Sequence, residues 1–167
     1  MDKPRNLSVR QGLYSAEERL RRDSSKWTIV QGVLAAFQFF VFLISLLSVL
    51  RTLVTGEGAF AANASVIFKT LVLYTIMITG SLWEKDVFGK YLFAPAFFWE
   101  DVVSFVVIGL HTIYVYALVT GSMTQHALML LVLAAYATYA LNATQFLWKL
   151  RQARLQYSMM QMTEARA

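Results

Sequence analysis

The sequence predicts an all-α integral membrane protein: a four-helix bundle with both termini cytoplasmic and a short N-terminal interfacial helix. Three observations lead there. Hydrophobic residues make up 57% of the 167 and charged residues only 15%, whereas soluble domains run near 45–50% and about 25%. The apolar residues gather into four segments close to the ~20 residues that cross a ~30 Å hydrocarbon core. Of the 15 Lys and Arg, all but Arg51 and Lys69 fall in the N-terminal arm, the central loop or the C-terminal tail. The positive-inside rule then puts those three parts on the cytoplasmic side.

Residues 1–26 read as a basic cytoplasmic arm without the apolar core of a cleavable signal peptide. Ser15-Ala-Glu-Glu18 has capping-box spacing, so a short helix is expected from Ala16, lying at the headgroup level or belonging to a loose tail. The transmembrane domain covers 27–148, with spans at about 27–50, 66–83, 96–120 and 126–148. In the first span Gln31, Gln38 and Ser45 recur every seven residues, a polar stripe that should face other helices. Residues 51–65 read as a loop, and Lys69, near the start of the second span, as a residue that snorkels to the interface. Thr70, Tyr74 and Ser81 share one face of that span. Pro95 keeps Ala94 out of a helix and suits the first turn of the third span. Thr138, Asn142 and Gln145 mark the polar face of the fourth. Residues 149–167 form a basic, then polar, cytoplasmic tail.

Chemistry concentrates between Gly80 and His111. This stretch holds Glu84, Asp86, Glu100 and Asp101, four of the ten acidic residues, at a junction between apolar spans where charge is disfavoured. Trp27, Trp83, Trp99 and Trp148 all fall at predicted span ends on the cytoplasmic side. Glu100 and His111 are almost three helical turns apart and so share a face, with His111 roughly 16 Å deeper at 1.5 Å per residue. Ionisable groups within a span usually face the bundle interior. His111 is therefore either a neutral imidazole bonded to a neighbouring helix or a ligand for a bound molecule. Neighbouring carboxylates at a half-dry interface repel and are desolvated, and both effects favour a protonated acid; pairing with Lys85 and Lys90 is the plainer role for such charges. Phe88, Tyr91, Phe93, Phe97 and Phe98 form either an aromatic wall for a flat ligand or a set of interfacial anchors.

The chain carries no phosphate-binding glycine loop, nucleophile elbow or His-Glu-x-x-His motif. With no cysteine, disulfides and thiolate metal sites are excluded. NTP hydrolysis, acyl-enzyme chemistry and zinc chemistry are unsupported.

Four stretches carry a resemblance. They are Trp27-Thr-Ile-Val-Gln-Gly-Val-Leu-Ala, Leu73-Tyr-Thr-Ile-Met-Ile-Thr-Gly-Ser-Leu-Trp-Glu-Lys, Val87-Phe-Gly-Lys-Tyr-Leu-Phe-Ala-Pro-Ala-Phe-Phe-Trp-Glu-Asp and Ala134-Ala-Tyr-Ala-Thr-Tyr. Together, over roughly residues 12–155, the chain resembles the 3-vinyl (older name 2-vinyl) bacteriochlorophyllide hydratases of bacteriochlorophyll biosynthesis. The resemblance implies a hydro-lyase that converts the ring-A 3-vinyl group of chlorophyllide a or 3-vinyl bacteriochlorophyllide a to 3-(1-hydroxyethyl). It also implies a multi-pass protein of the bacterial inner (cytoplasmic or intracytoplasmic) membrane.

Such a hydration needs an acid for the terminal CH2, a positioned water and a dry, flat pocket. On this reading Glu100 or Glu84 is the acid, with the other carboxylate or Asp101 orienting the water. Trp83, Trp99, Phe97, Phe98, Tyr91 and His111 contact the substrate. No cofactor beyond water and no metal of the protein's own is expected; the substrate carries its magnesium, for which His111 is a candidate axial ligand. Expected partners are the (bacterio)chlorophyllide, the lipid bilayer and neighbouring pigment-biosynthesis enzymes, with no nucleic acid. The competing function is a non-catalytic pigment-binding or photosynthetic assembly subunit, which should tolerate amides at Glu84, Glu100 and Asp101. A small exporter fits less well, because its acidic residue belongs inside a span.

Overall fold

The computed structural model describes residues 13–164, which form five helices: α1 (Ala16–Ser24), α2 (Lys26–Thr55), α3 (Ala59–Phe88), α4 (Phe98–Thr120) and α5 (Gln125–Glu164). No strand occurs among the described residues. Helices α2 to α5 each contain a stretch long and apolar enough to cross a membrane, as expected of a membrane protein with four candidate spans.

Local chemistry sets the helix ends. Ser15 caps α1, and its amide donates to Glu18 Oε2 at 2.7 Å, completing the capping box. Ser25 ends α1 and caps α2. Gly89 ends α3 with φ 77, a conformation that a Cβ would disfavour. Two expectations are corrected here. The loop over 51–65 shrinks to 56–58, because α2 continues to Thr55 and the alanine-rich start of α3 is helical from Ala59. Pro95 does not open the third span: residues 95–97 form a turn, and α4 starts at Phe98 after Phe97 as N-cap.

The bundle is two hairpins. Helix α2 packs along α3 and α4 along α5, α2 joins the hairpins through α5, and the α3–α4 seam is the lightest of the chain-adjacent pairings within the bundle. Helix α1 lies against α3. Two apolar clusters close the ends of the core. One, built on Val49, Val66, Tyr114, Met129, Val132 and Tyr136, sits near the 56–58 and 121–124 turns. The other, Tyr14, Val87 and Phe97 with Trp83, Phe88 and Phe146 against them, sits under the 89–97 segment.

Between those clusters the interior is polar, as the seven-residue stripe anticipated. Gln31 donates to Thr79 at 2.7 Å, Ser45 bonds Ser65 at 2.7 Å and the Tyr136 hydroxyl at 2.5 Å, and Asn142 donates to Ser104 at 2.7 Å. These bonds pair groups that hydrocarbon cannot satisfy, although the Asn142 Oδ1 is buried without a partner among the described residues. Gln38 differs: its amide is buried without a hydrogen-bond partner among the described residues.

Candidate functional site

The four carboxyl groups of the Gly80–His111 stretch divide into distinct environments. Glu84 lies in the last turns of α3 and Asp101 in the first turn of α4, and both are buried. Seventeen residues separate them in sequence, yet their carboxyls lie within hydrogen-bonding reach of each other. A bond between two carboxyl groups exists only when one of them carries a proton. Each also receives a backbone amide from the segment between the helices. Ala94 N–H donates to Glu84 Oε2 at 3.1 Å, and Phe93 N–H to Asp101 Oδ2 at 2.7 Å. Two adjacent amides thus tie the two acids to one loop.

That loop is strained where it holds Asp101. Phe93 has φ 59, the one non-glycine residue with positive φ among the described residues. A left-handed conformation of this kind costs of order 1–3 kcal/mol for a non-glycine residue.

Glu100 turns the other way, toward α5. Its Oε2 accepts from Lys149 Nζ at 2.5 Å, and Lys149 also donates to the Ala96 carbonyl. Lys149 lies 5.1 Å from the centroid of the Phe97 ring. Glu100, Trp148 and Lys149 line a groove of about 390 Å³ together with Thr144, Gln145 and Gln152. Asp101 feels both the Glu100 charge and the Lys149 charge, so the three carboxyls and one ammonium form a single electrostatic unit. Asp86 is exposed and stands apart.

The aromatic residues separate into an inner and an outer set. Trp83, Phe88 and Phe97 point inward and pack with Tyr14 and Phe146. Tyr14 stacks on Phe88 at 5.7 Å and Phe97 on Phe146 at 5.9 Å, while Trp83 meets Phe97 edge-on at 5.5 Å. Trp83 also donates to Thr28 at 3.0 Å. This set packs together as the apolar cluster at that end of the bundle. The outer set is Phe93, Phe98, Trp99 and Phe105, all exposed. Tyr91 belongs to neither; Lys85 Nζ lies over its ring at 4.0 Å and donates to its hydroxyl.

His111 is fully enclosed, one face turned to Tyr136. Its Nδ1 bonds the Val107 carbonyl at 2.8 Å, which leaves Nε2 facing Lys69 Nζ at 3.2 Å. With Nδ1–H donating to a carbonyl, Nε2 is the acceptor. Both nitrogens are therefore engaged, and the reading of His111 as bonded to a neighbouring helix describes it. Lys69 does not snorkel: it is 0% exposed, because α3 begins at Ala59 and puts it three turns inside the helix. Its ammonium lies 4.0 Å from the Tyr139 ring and 5.0 Å from that of Tyr136. No carboxylate pairs with it among the described residues.

Sequence reasoning brought out Glu84, Glu100 and Asp101 but not which of them pair. It took Lys149 as a topology marker rather than the partner of Glu100, and it did not single out Phe105, which stacks on Phe93. The signal for Phe105 was there: it follows Phe98 by seven residues and so shares its face of α4. The described residues contain no cluster of three His, Asp or Glu arranged to hold a metal ion.

Comparison with known proteins places the chain. The sequence profile of the 2-vinyl bacteriochlorophyllide hydratases matches residues 14–152. The 2-vinyl bacteriochlorophyllide hydratase of Rhodobacter capsulatus is 62% identical over 153 residues, covering 92% of this chain and 88% of that protein. The protein of the same name from Cereibacter sphaeroides is 64% identical over 144 residues, 86% of this chain and 89% of its own. No solved structure matches the chain. With a match that spans the whole of residues 27–148 and the entire acid cluster, the chain belongs to the 2-vinyl bacteriochlorophyllide hydratase family.

Proposed function

We infer that this protein adds water across the ring-A vinyl group of chlorophyllide a or 3-vinyl bacteriochlorophyllide a, giving the 3-(1-hydroxyethyl) product. The family match supports the reaction, and the paired acids Glu84 and Asp101 at the α3–α4 seam carry the assignment of the site. The proton shared by this pair passes to the terminal CH2, forming a C–H bond as the π bond breaks. The cation develops on the carbon next to the ring, where the conjugated macrocycle spreads the charge. Water attacks that carbon and gives up a proton to a carboxylate, which restores the starting state of the cluster. One water is gained, and no electrons enter or leave.

Within this scheme Glu84 is the acid, Asp101 its proton-sharing partner and Glu100 the carboxylate that orients the attacking water, held by Lys149. General acid–base assistance of this kind is worth about 10²–10⁴-fold. Trp99 and Phe98 contact the pigment, Trp83 and Phe97 hold the acid pair from below, and Tyr91 braces the segment through Lys85. His111 acts within the bundle core, away from the substrate's magnesium. The reaction as written takes no cofactor beyond water.

Both termini and the 89–97 segment lie on the cytoplasmic side of the bacterial inner membrane, with α1 at the headgroup level. The charge distribution and the tryptophan placement support this orientation. Reporter fusions at either terminus test it, since an enzyme that matures only outside the cytoplasm should stay inactive there. The activity is tested by incubating the purified protein in detergent with chlorophyllide a and following product mass. Gain of one water is expected, with loss of turnover in Glu84→Gln. A pigment that binds but gains no water would instead favour the pigment-binding subunit.

A further inference from the structure

The outer aromatic residues form a surface whose construction burial does not explain. Phe93 and Phe105 lie parallel, 13° apart with centroids at 5.5 Å; Phe98 meets Phe93 at 5.7 Å, and Trp99 stands edge-on to Phe98 at 5.5 Å. All four rings are exposed, Trp99 to 70% and Phe93 to 40%. Interfacial anchoring accounts for single aromatic residues at a span end, but it does not require a contiguous set of four.

Phe93 is the telling member. Its backbone is in the left-handed region, which an aromatic residue adopts only when something holds it there. What holds it is the hydrogen bond that its backbone N–H donates to Asp101 Oδ2. Phe97, four residues on, is fully buried, so the segment has a core position available to an aromatic ring. The Phe93 ring instead packs on Phe105 and Phe98 and stays 40% exposed. One residue therefore joins the acid pair to the exposed rings; the other three rings lie on α4, which packs lightly on α3.

We propose that Phe93, Phe98, Trp99 and Phe105 form the docking surface for the substrate macrocycle, which approaches from the bilayer at the α3–α4 seam. The proposal rests on the hydratase reading for the identity of the occupant, a flat tetrapyrrole with an apolar face. Such a ligand needs exposed π surface of several rings rather than an enclosed cavity. Its vinyl edge is then set against the Phe93 amide and the carboxyls behind it. The surface explains how four spans with a packed interior act on a molecule as large as a chlorin: the pigment remains at the lipid boundary and only its vinyl group meets the acids.

The test uses the full chain in lipid nanodiscs with two probes, chlorophyllide a and its 3-ethyl counterpart, which binds but cannot add water. Binding is read from quenching of tryptophan emission and turnover from product mass. Phe93→Gly removes the ring and relieves the backbone, so thermal stability should hold or rise while affinity for both pigments falls about tenfold. Phe105→Leu should weaken affinity similarly and raise KM with kcat little changed. Phe60→Leu, at an 88% exposed position near the opposite turn, should bind as wild type. Wild-type affinity in both Phe93→Gly and Phe105→Leu, an equal loss in Phe60→Leu, or no saturable binding of either pigment overturns the proposal. If the vinyl pigment binds through these rings yet gains no water, the surface stands and the hydratase reading falls.

Discussion

Glu84 and Asp101 accept hydrogen bonds from two consecutive amides, those of Ala94 and Phe93, while lying within bonding reach of each other. This one relationship ties the end of α3, the start of α4 and the intervening segment into a unit. On the proposed mechanism the same acid pair is both a structural clasp and a proton source.

The two roles separate in amide variants. Glu84→Gln keeps an oxygen for the Ala94 amide but offers no acidic proton. It should fold and bind pigment with affinity within about threefold of wild type, while kcat falls by about 10²-fold or more. Asp101→Asn should behave alike, because either amide leaves the pair without its shared acidic proton. Single-turnover kinetics in detergent check both, and a Glu84→Gln enzyme with undiminished kcat would remove Glu84 from the acid role.

Glu100 and Lys149 should prove energetically coupled. Either single variant, Glu100→Gln or Lys149→Met, leaves a partly buried partner unmatched. The double variant should recover part of the loss, with an interaction of about 1–3 kcal/mol in a thermodynamic cycle. Thermal melts in one detergent give the four corners of the cycle. Additive losses would mean that the 2.5 Å pair contributes little to stability.

Lys69 and His111 make a different prediction. Lys69 Nζ, buried with no carboxylate partner among the described residues, is held by one imidazole and aromatic faces. Replacing such a group with an apolar side chain of similar length is often neutral or stabilising. Lys69→Met should therefore melt no lower than wild type, whereas Lys69→Ala leaves a cavity and should cost about 2–5 kcal/mol. Pigment affinity should be unchanged in His111→Gln. A large loss there would return His111 to the substrate's magnesium.

The N-terminal helix should release at high pH. Tyr14 stacks on Phe88 and lies beneath the Arg22 guanidinium at 4.8 Å. Burial pushes its hydroxyl from 10.0 up to about 12. A raised phenol pKa means that the folded clasp holds the proton longer than the released chain does. Its contribution is complete below pH 10 and is lost as pH rises from 10 to about 12. Protease cleavage within α1 should accelerate across that window in wild type and be fast at every pH in Tyr14→Ala.

Much of this protein was determined by sequence alone. Helix-length apolar runs dictated the spans, because a bilayer accepts only segments that satisfy their own backbone. Seven-residue spacing of Gln31, Gln38 and Ser45 identified the inward face of α2, and the Phe-Ala-Pro-Ala-Phe-Phe-Trp-Glu-Asp run pointed to the family. Acidic residues at span ends marked the region where the carboxyl groups gather. Tertiary structure decided partnership. Periodicity states which way a side chain faces on its own helix and is silent about what the next helix brings opposite. Thus Glu100, next to Asp101 in sequence, turns to Lys149, forty-nine residues away, while Asp101 turns to Glu84. Lys69 reads as interfacial until the short 56–58 turn lengthens α3 and draws it inside to His111. The aromatic residues are near neighbours along the chain, and the packing of α3, α4 and the segment between them sends some outward and others into the core. In a bundle of a few long helices, roles follow from which faces meet, and that is set by packing across distances local sequence does not encode.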